Sequence, residues 1–259
     1  MYDIPLTHEY VTAHTTLIET LIDDEHALRR FGKDSAFPRT LGAGMDERVV
    51  EYPWLFSCKP RGRTLDAGSV CNHSHILDRL LPRVDELTIA TLKPEPTSFP
   101  ERGIGYVYCD LRELPFRNGW FDTVISISTL EHVGMQNEIY GDDTPRAPDP
   151  VAEVALAARE LRRVIQPNGQ LLLSVPYGRR EDHGWFRQLD RADIEELVAA
   201  FEPMEVDLKV FAYTIRGWQQ ADLESAAEAA YSDAIAQGTP AYDGATGARA
   251  VACIKLQFE

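Results

Sequence analysis

Glu131 and His132 set a carboxylate beside an imidazole, a pair able to take a proton from an attacking nucleophile near neutral pH. Upstream, three apolar runs each end in residues suited to holding a nucleoside. Thr64-Leu65 precedes Asp66-Ala67-Gly68-Ser69, Tyr106-Val107-Tyr108 precedes Cys109-Asp110, and Val124-Ile125-Ser126-Ile127 precedes Ser128. A strand that ends in a small residue and feeds a helix leaves backbone N–H groups facing a crevice, where a ligand meets no Cβ. A single glycine after a strand, such as Gly68, is equally what a tight turn requires.

Elements that could position these residues follow from periodicity. Arg63 to Ala67 reads as a first strand, and Ser69 or Asn72 can cap a helix whose apolar face holds Ile76, Leu77, Leu80 and Leu81. Leu87–Leu92, Gly105–Tyr108 and Phe121–Ser128 give the next three strands. Asp149-Pro150 is a helix start, followed at helical spacing by Val151, Val154, Ala155, Ala158, Leu161 and Ile165. Pro167-Asn168-Gly169 turns the chain into a fifth strand, Gln170–Val175. A helix over about 191–201 and strands at Val206–Tyr213 and Ala250–Gln257 complete the series, with an Ala- and Glu-rich helix over Ala221–Gln237 outside the sheet. Strands alternating with helices at this pitch predict a doubly wound α/β sandwich. Residues 1–60 precede it as a helical extension, in which Pro53 starts or kinks a helix bearing Val49, Val50, Trp54 and Leu55.

A formal charge of −15 repels phosphate backbones, so a nucleic-acid partner is not expected. The arginine clusters Arg159-Arg162-Arg163 and Arg179-Arg180 are short and read as solvated faces. Cys58, Cys71, Cys109 and Cys253 have no metal-ligand spacing, and no hydrophobic leader stands at Met1-Tyr2-Asp3-Ile4. The expectation is a reduced, cytoplasmic protein with no metal. No apolar run approaches the roughly 20 residues that span a bilayer, so no membrane partner is expected.

The segments LDAGS, CDLRELPF, FDTVISISTLEHVG and ELRRVIQPNGQLLLSVPYG resemble, in order and spacing, the successive motifs of class I S-adenosylmethionine-dependent methyltransferases. The resemblance covers about Gly62 to Phe201 and is nearest to a subgroup with LDAGS, TLxPE, ISTLEHVG and VPYG. It implies a Rossmann-like seven-stranded sheet with an antiparallel last strand over residues 61–259, with residues 1–60 as a lid. It further implies that Asp66 serves the ammonium group of S-adenosylmethionine while Ala67, Gly68, Ser69 and Asn72 pass its methionine portion. Ser69, Cys71 and Asn72 stand where relatives carry further glycines. Relatives also place an acid at the end of the second strand to accept the ribose hydroxyls, where this chain has Thr91; Glu95 either reaches back to the ribose or is an exposed loop acid. Asp110 would accept the adenine amino group and Leu111 pack on the purine, the competing role for Asp110 being a cap or a pair with Arg112. Ser128 to Gly134 would floor the active site, with His132 as general base and Glu131 beside it, or with His132 packed against the cofactor and moving no proton.

For the acceptor, Tyr140, Asp142 and Asp143 lie in the polar loop Met135–Asp149, and Tyr177, His183 and Trp185 in the loop after the fifth strand. Trp218 follows Arg216-Gly217. A phenol, an imidazole and flat apolar rings suit a sugar or other polyol, although packing of the loop on the domain explains them equally well. The expected activity is therefore methyl transfer to a small molecule or glycan, at oxygen. A cofactor-fold protein without catalysis, acting as a binding or regulatory partner, is the second reading; the thinned glycines and Thr91 motivate it. A nicotinamide dehydrogenase would need G-x-G-x-x-G at the first turn, which is lacking.

Overall fold

The structure, a computed structural model, describes residues 7–33, 36–138, 145–233 and 241–259. In chain order it contains α1 (His8–Asp23), α2 (Glu25–Phe31), α3 (Arg48–Ser57), β1 (Arg63–Ala67), α4 (Ser74–Leu80), β2 (Glu86–Thr91), β3 (Gly105–Tyr108) and β4 (Phe121–Ile127). Then come α5 (Pro150–Val164), β5 (Ile165–Pro176), β6 (Glu181–Asp182), β7 (Arg187–Gln188), α6 (Arg191–Ala200), β8 (Glu205–Thr214), β9 (Gly217–Ala221) and β10 (Ala250–Gln257). The chain divides into two compact units. One takes Met1–Lys59, Pro176–Arg179 and Leu208–Cys253; the other takes Pro60–Val175, Arg180–Asp207 and Ile254–Glu259.

Pro60–Val175 carries the parallel strands. β1 pairs with β2 and with β4, β2 with β3, and β4 with β5, all in parallel. Leu65, Asp66 and Ala67 of β1 and Val124, Ile125 and Ile127 of β4 are buried, the continuous burial expected of strands covered on both faces. The helices begin where their caps stand. Asp149 accepts from Val151 N–H (3.1 Å) and Ala152 N–H (3.2 Å), Pro150 occupies the first turn, and Val154, Ala157, Ala158, Leu161 and Val164 are buried. At α6, Asp190 and Asp193 accept from each other's backbone N–H groups, a reciprocal capping box. β5 begins at Ile165, earlier than the Pro-Asn-Gly turn predicts. That turn survives as an irregularity within the strand, with Asn168 at φ +62° and the register shifting between Phe121 and Thr123.

The other unit holds α1 to α3, and its strands include the antiparallel β8–β9 hairpin. Phe31, Phe37 and Phe211 form an aromatic cluster with centroids 4.6–5.8 Å apart, and Val49 to Phe56 of α3 are buried along their whole length. β9 is an eighth strand that the sequence does not announce. The helix expected over Ala221–Gln237 is a correction: its described part, residues 222–233, is turn and bridge. Asp222 and Ser225 close a local turn, and the backbone of Ala229 and Ala230 bonds Arg179 and Arg249, so tertiary pairing overrides alanine's helix propensity.

Hydrogen bonding orders the eight strands β3-β2-β1-β4-β5-β10-β8-β9. β10 is antiparallel to β5. Phe258, just past β10, accepts from Asn168 N–H, and Ala250, at its start, accepts from Tyr177 N–H just past β5, so numbers rise along one chain segment as they fall along the other. The sheet is thus mixed, α/β and Rossmann-like. No helix of the described residues is long and apolar enough to cross a membrane.

Candidate active site

The carboxyl ends of the parallel strands align. Ala67 pairs with Ala90, Thr91 with Tyr108, Asp66 with Ile125 and Ile127 with Ser174. Two non-glycine residues in these exits adopt left-handed backbone, Ser69 (φ +63°) and Ser128 (φ +42°), a conformation that stores strain and recurs at functional loops. Gly68 lies between them in the chain of contacts, at φ +121°. A Cβ on it would overlap the Thr129 side chain, with Thr129 Cβ at 2.8 Å. The glycine is therefore required by the β4 exit packing against the β1 exit. Gly68→Ala should lower stability by about 2–4 kcal/mol in urea unfolding, partly regained in a Thr129→Gly background. Wild-type stability in the single variant would show that the two loops part freely.

Asp66 is fully buried. Its Oδ2 accepts from Cys71 N–H at 2.8 Å, while Oδ1 is buried and has no hydrogen-bond partner among the described residues. Burial pushes the carboxyl up to about 7; the bond from Cys71 lowers it and the nearby Glu95 charge raises it. One oxygen of this acid therefore has a donor and the other has none among the described residues. Glu95 is close by, folded back over the β1 exit. Its Oε1 accepts from Ser69 Oγ and its Oε2 from Asn72 Nδ2 (2.6 Å). Asn72 is fixed in turn by Thr97 O (2.9 Å) and by the Tyr106 hydroxyl (2.9 Å), which itself accepts from Phe99 N–H (2.8 Å). Ser69 and Asn72 are thus the donors that hold Glu95. Tyr106 is a member of this network that sequence reasoning missed; its place on β3 beside Cys109-Asp110 was the available signal.

Asp110 follows β3, half-buried, and both of its oxygens are engaged by Arg112: Oδ1 by the backbone N–H (2.8 Å) and Nε (2.9 Å), Oδ2 by Nη2 (2.5 Å). Burial alone would raise this carboxyl, but the Arg112 hydrogen bonds outweigh it and hold it below the ordinary value. Arg112 also pairs with Glu153 of α5. Leu111 is buried and Thr91 partly so. Ser128 N–H bonds Ser174 O at 3.0 Å.

His132 sits in the 3-10 turn Leu130–His132. Its Nδ1 is 2.9 Å from the Trp185 carbonyl, its ring stacks on Trp185 (centroids 5.1 Å, 28°), and its Nε2 is 3.9 Å from Glu131 Oε1. His183 lies flat on Phe186 (4.5 Å, 2°), whose ring in turn meets Trp185 at 4.6 Å. The β6–β7 hairpin therefore gathers His132, His183 and Trp185 into one aromatic cluster. Tyr177 and Trp218 belong to the unit that includes Met1–Lys59, and both are fully buried. The Tyr177 hydroxyl donates to Leu223 O (2.7 Å) and Trp218 Nε1 to Met45 O (3.0 Å), so packing accounts for both rings and their polar tips. Tyr140, Asp142 and Asp143 lie outside the described residues.

Residues 83–173, from the turn before β2 to the middle of β5, match a family model described as a methyltransferase domain. No protein with a curated description matches the sequence. Among solved structures, the YcgJ protein of Bacillus subtilis is 15% identical with a TM-score of 0.47, over 78% of this chain and 93% of that one. The N-methyltransferase NodS of Bradyrhizobium japonicum with S-adenosyl-L-homocysteine is 11% identical, TM-score 0.46, over 95% and 98%. The 1,6-didemethyltoxoflavin-N1-methyltransferase of Burkholderia thailandensis is 15% identical, TM-score 0.46, over 100% and 94%.

Proposed function

We propose that this chain is a class I S-adenosylmethionine-dependent methyltransferase, of the subgroup with the LDAGS and ISTLEHVG motifs, acting at oxygen on a small molecule or glycan. The observation that carries the reading is the buried, half-satisfied Asp66 at the carboxyl edge of the methyltransferase-like strands. An ammonium group supplies the cation that its Oδ1 lacks, so the residues present fit the methionine end of the cofactor. Ala67, Gly68, Ser69 and Asn72 line that end, and Glu95, in place of an acid at Thr91, takes the ribose hydroxyls. Asp110 and Leu111 receive the adenine, and Ser128 borders the reacting centre. When bound, the cofactor supplies a methyl group on positive sulfur.

The chain's own residues then orient the acceptor and move its proton. His132 takes the proton as attack proceeds, with Glu131 beside it, and Trp185 and His183 present a flat face and an imidazole to a hydroxylated ring.

Calorimetric titration with S-adenosylhomocysteine tests the reading: saturable heat is expected, and none at millimolar ligand would remove the enzyme. In the same assay Asp110→Ala and Glu95→Gln should each weaken binding by about 10-fold with folding preserved. Unchanged affinity in either variant removes that contact. A second reading, a cofactor-fold protein that binds without catalysis, is favoured by the internal partners already occupying Glu95 and Asp110. Mass spectrometry of candidate acceptors separates the two, since a gain of one methylene requires turnover.

A further inference from the structure

We infer that Tyr106 is a positioning residue of the cofactor site: through Asn72 it fixes the carboxylate of Glu95 over the β1 exit, and so sets how strongly the site distinguishes a ribose that carries both hydroxyls from one that lacks them. The inference rests on the reading above in which Glu95 takes those hydroxyls.

The count of hydrogens fixes how the network is wired. Asn72 is 5% exposed, and its amide meets three oxygens: the Tyr106 hydroxyl at 2.9 Å, the Thr97 carbonyl at 2.9 Å and Glu95 Oε2 at 2.6 Å. The last two only accept, so both amide hydrogens go to them and the amide oxygen is left to the phenol. Turned over, the amide would set its oxygen against a carbonyl and a carboxylate. Tyr106 prevents this. Its oxygen already receives the Phe99 N–H at 2.8 Å, and its one hydrogen goes to Asn72 Oδ1. Burial holds the phenol above its ordinary value of 10, so that hydrogen stays in place across the neutral range.

The Ser69 hydroxyl donates to the other oxygen of Glu95. Ser69 is held at φ +63°, and its bond to the acid helps to offset the strain of that turn. Each carboxylate oxygen thus has one donor from this network and keeps a second lone pair for a ligand hydroxyl. The charge of Glu95 is felt at buried Asp66, whose unpartnered Oδ1 marks the ligand side of the same loop. Without the phenol hydrogen, Asn72 Oδ1 has no donor, the amide is free to turn, and Glu95 loses the side chain that aims it. One hydroxyl on β3 therefore acts on the ribose through two intervening side chains.

Calorimetry of the full chain with S-adenosylhomocysteine and with its 2′,3′-dideoxy analogue tests this. The wild type should bind the parent about 10-fold or more tighter than the analogue. Tyr106→Phe should lose about 3- to 10-fold in affinity for the parent and less than about twofold for the analogue, and should add little in a Glu95→Gln background. In the ligand-free protein, NMR should find the Asn72 side-chain amide hydrogens exchanging with water about 10-fold or more faster in Tyr106→Phe than in the wild type. Equal losses for both ligands, no loss for either, losses that add in the double variant, or unchanged amide exchange would each overturn the inference, as would equal wild-type affinity for the two ligands. Failure of the methyl-transfer reading registers differently and removes the inference with it: neither ligand gives heat with the wild type, while the contrast in Asn72 amide exchange persists.

Discussion

Replacing Asp66 by asparagine is expected to stabilise the ligand-free protein at pH 8 and to weaken its binding of S-adenosylhomocysteine by about 10- to 100-fold. The carboxyl is fully buried, one oxygen lacks a partner among the described residues, and burial raises it from its ordinary 3.8 to about 7. Between those values the folded state holds a proton that the unfolded chain has released. Stability from this group is therefore present below about pH 4 and lost as pH rises towards 7. The difference sets a ceiling of ~4 kcal/mol, and the amide hydrogens of asparagine, themselves lacking an acceptor, reduce the net gain at pH 8 to about 1–2 kcal/mol. Urea unfolding of both proteins at pH 5 and pH 8 measures this as a difference that widens with pH.

The same acid predicts a proton-linked affinity. A ligand ammonium favours the carboxylate, so binding at pH 6 should release about one proton in the wild type and none in the variant. Calorimetry in two buffers of different ionisation enthalpy counts it. Identical proton release, or parallel pH dependence of stability, would show that Asp66 is not the group being neutralised.

How far this site was legible depends on which contacts are local. The strand exits were readable because each apolar run stops at a small or acidic residue, and α5 was readable because Asp149-Pro150 caps it through bonds only two and three residues long. Glu95 could be singled out as the alternative to Thr91. Its donors Ser69 and Asn72 could not, since they come from 26 and 23 residues away. Tyr177 and Trp218 show the opposite difficulty. An aromatic residue beside a glycine suits a pocket and a core alike, and only the carbonyls of Leu223 and Met45 decide for packing. β9 was hidden for the same reason: Trp218 N–H is secured by Leu41 O at 2.8 Å, a partner far away in sequence. The pair of Arg112 with Asp110, two residues apart, was legible as the competing role of that acid, but the second partner of Arg112, Glu153, lies 41 residues on.

His132→Ala is expected to lower kcat by about 10²- to 10⁴-fold while leaving S-adenosylhomocysteine affinity within about twofold. The competing role, a ring that only packs, makes its own prediction because the imidazole has real packing partners: the Trp185 ring at 5.1 Å and the Trp185 carbonyl at 2.9 Å. Removing them loosens the β6–β7 hairpin, so the alanine variant alone would confound lost proton transfer with lost order. His132→Asn separates them, since its side-chain amide can still donate to the Trp185 carbonyl but has no nitrogen able to take a proton. If proton transfer is the role, Asn and Ala are equally inactive, and added imidazole restores turnover to the smaller of the two with a dependence on its neutral fraction. If packing is the role, Asn recovers most of the rate and imidazole does nothing, which would remove His132 from the chemistry while leaving the cofactor site intact.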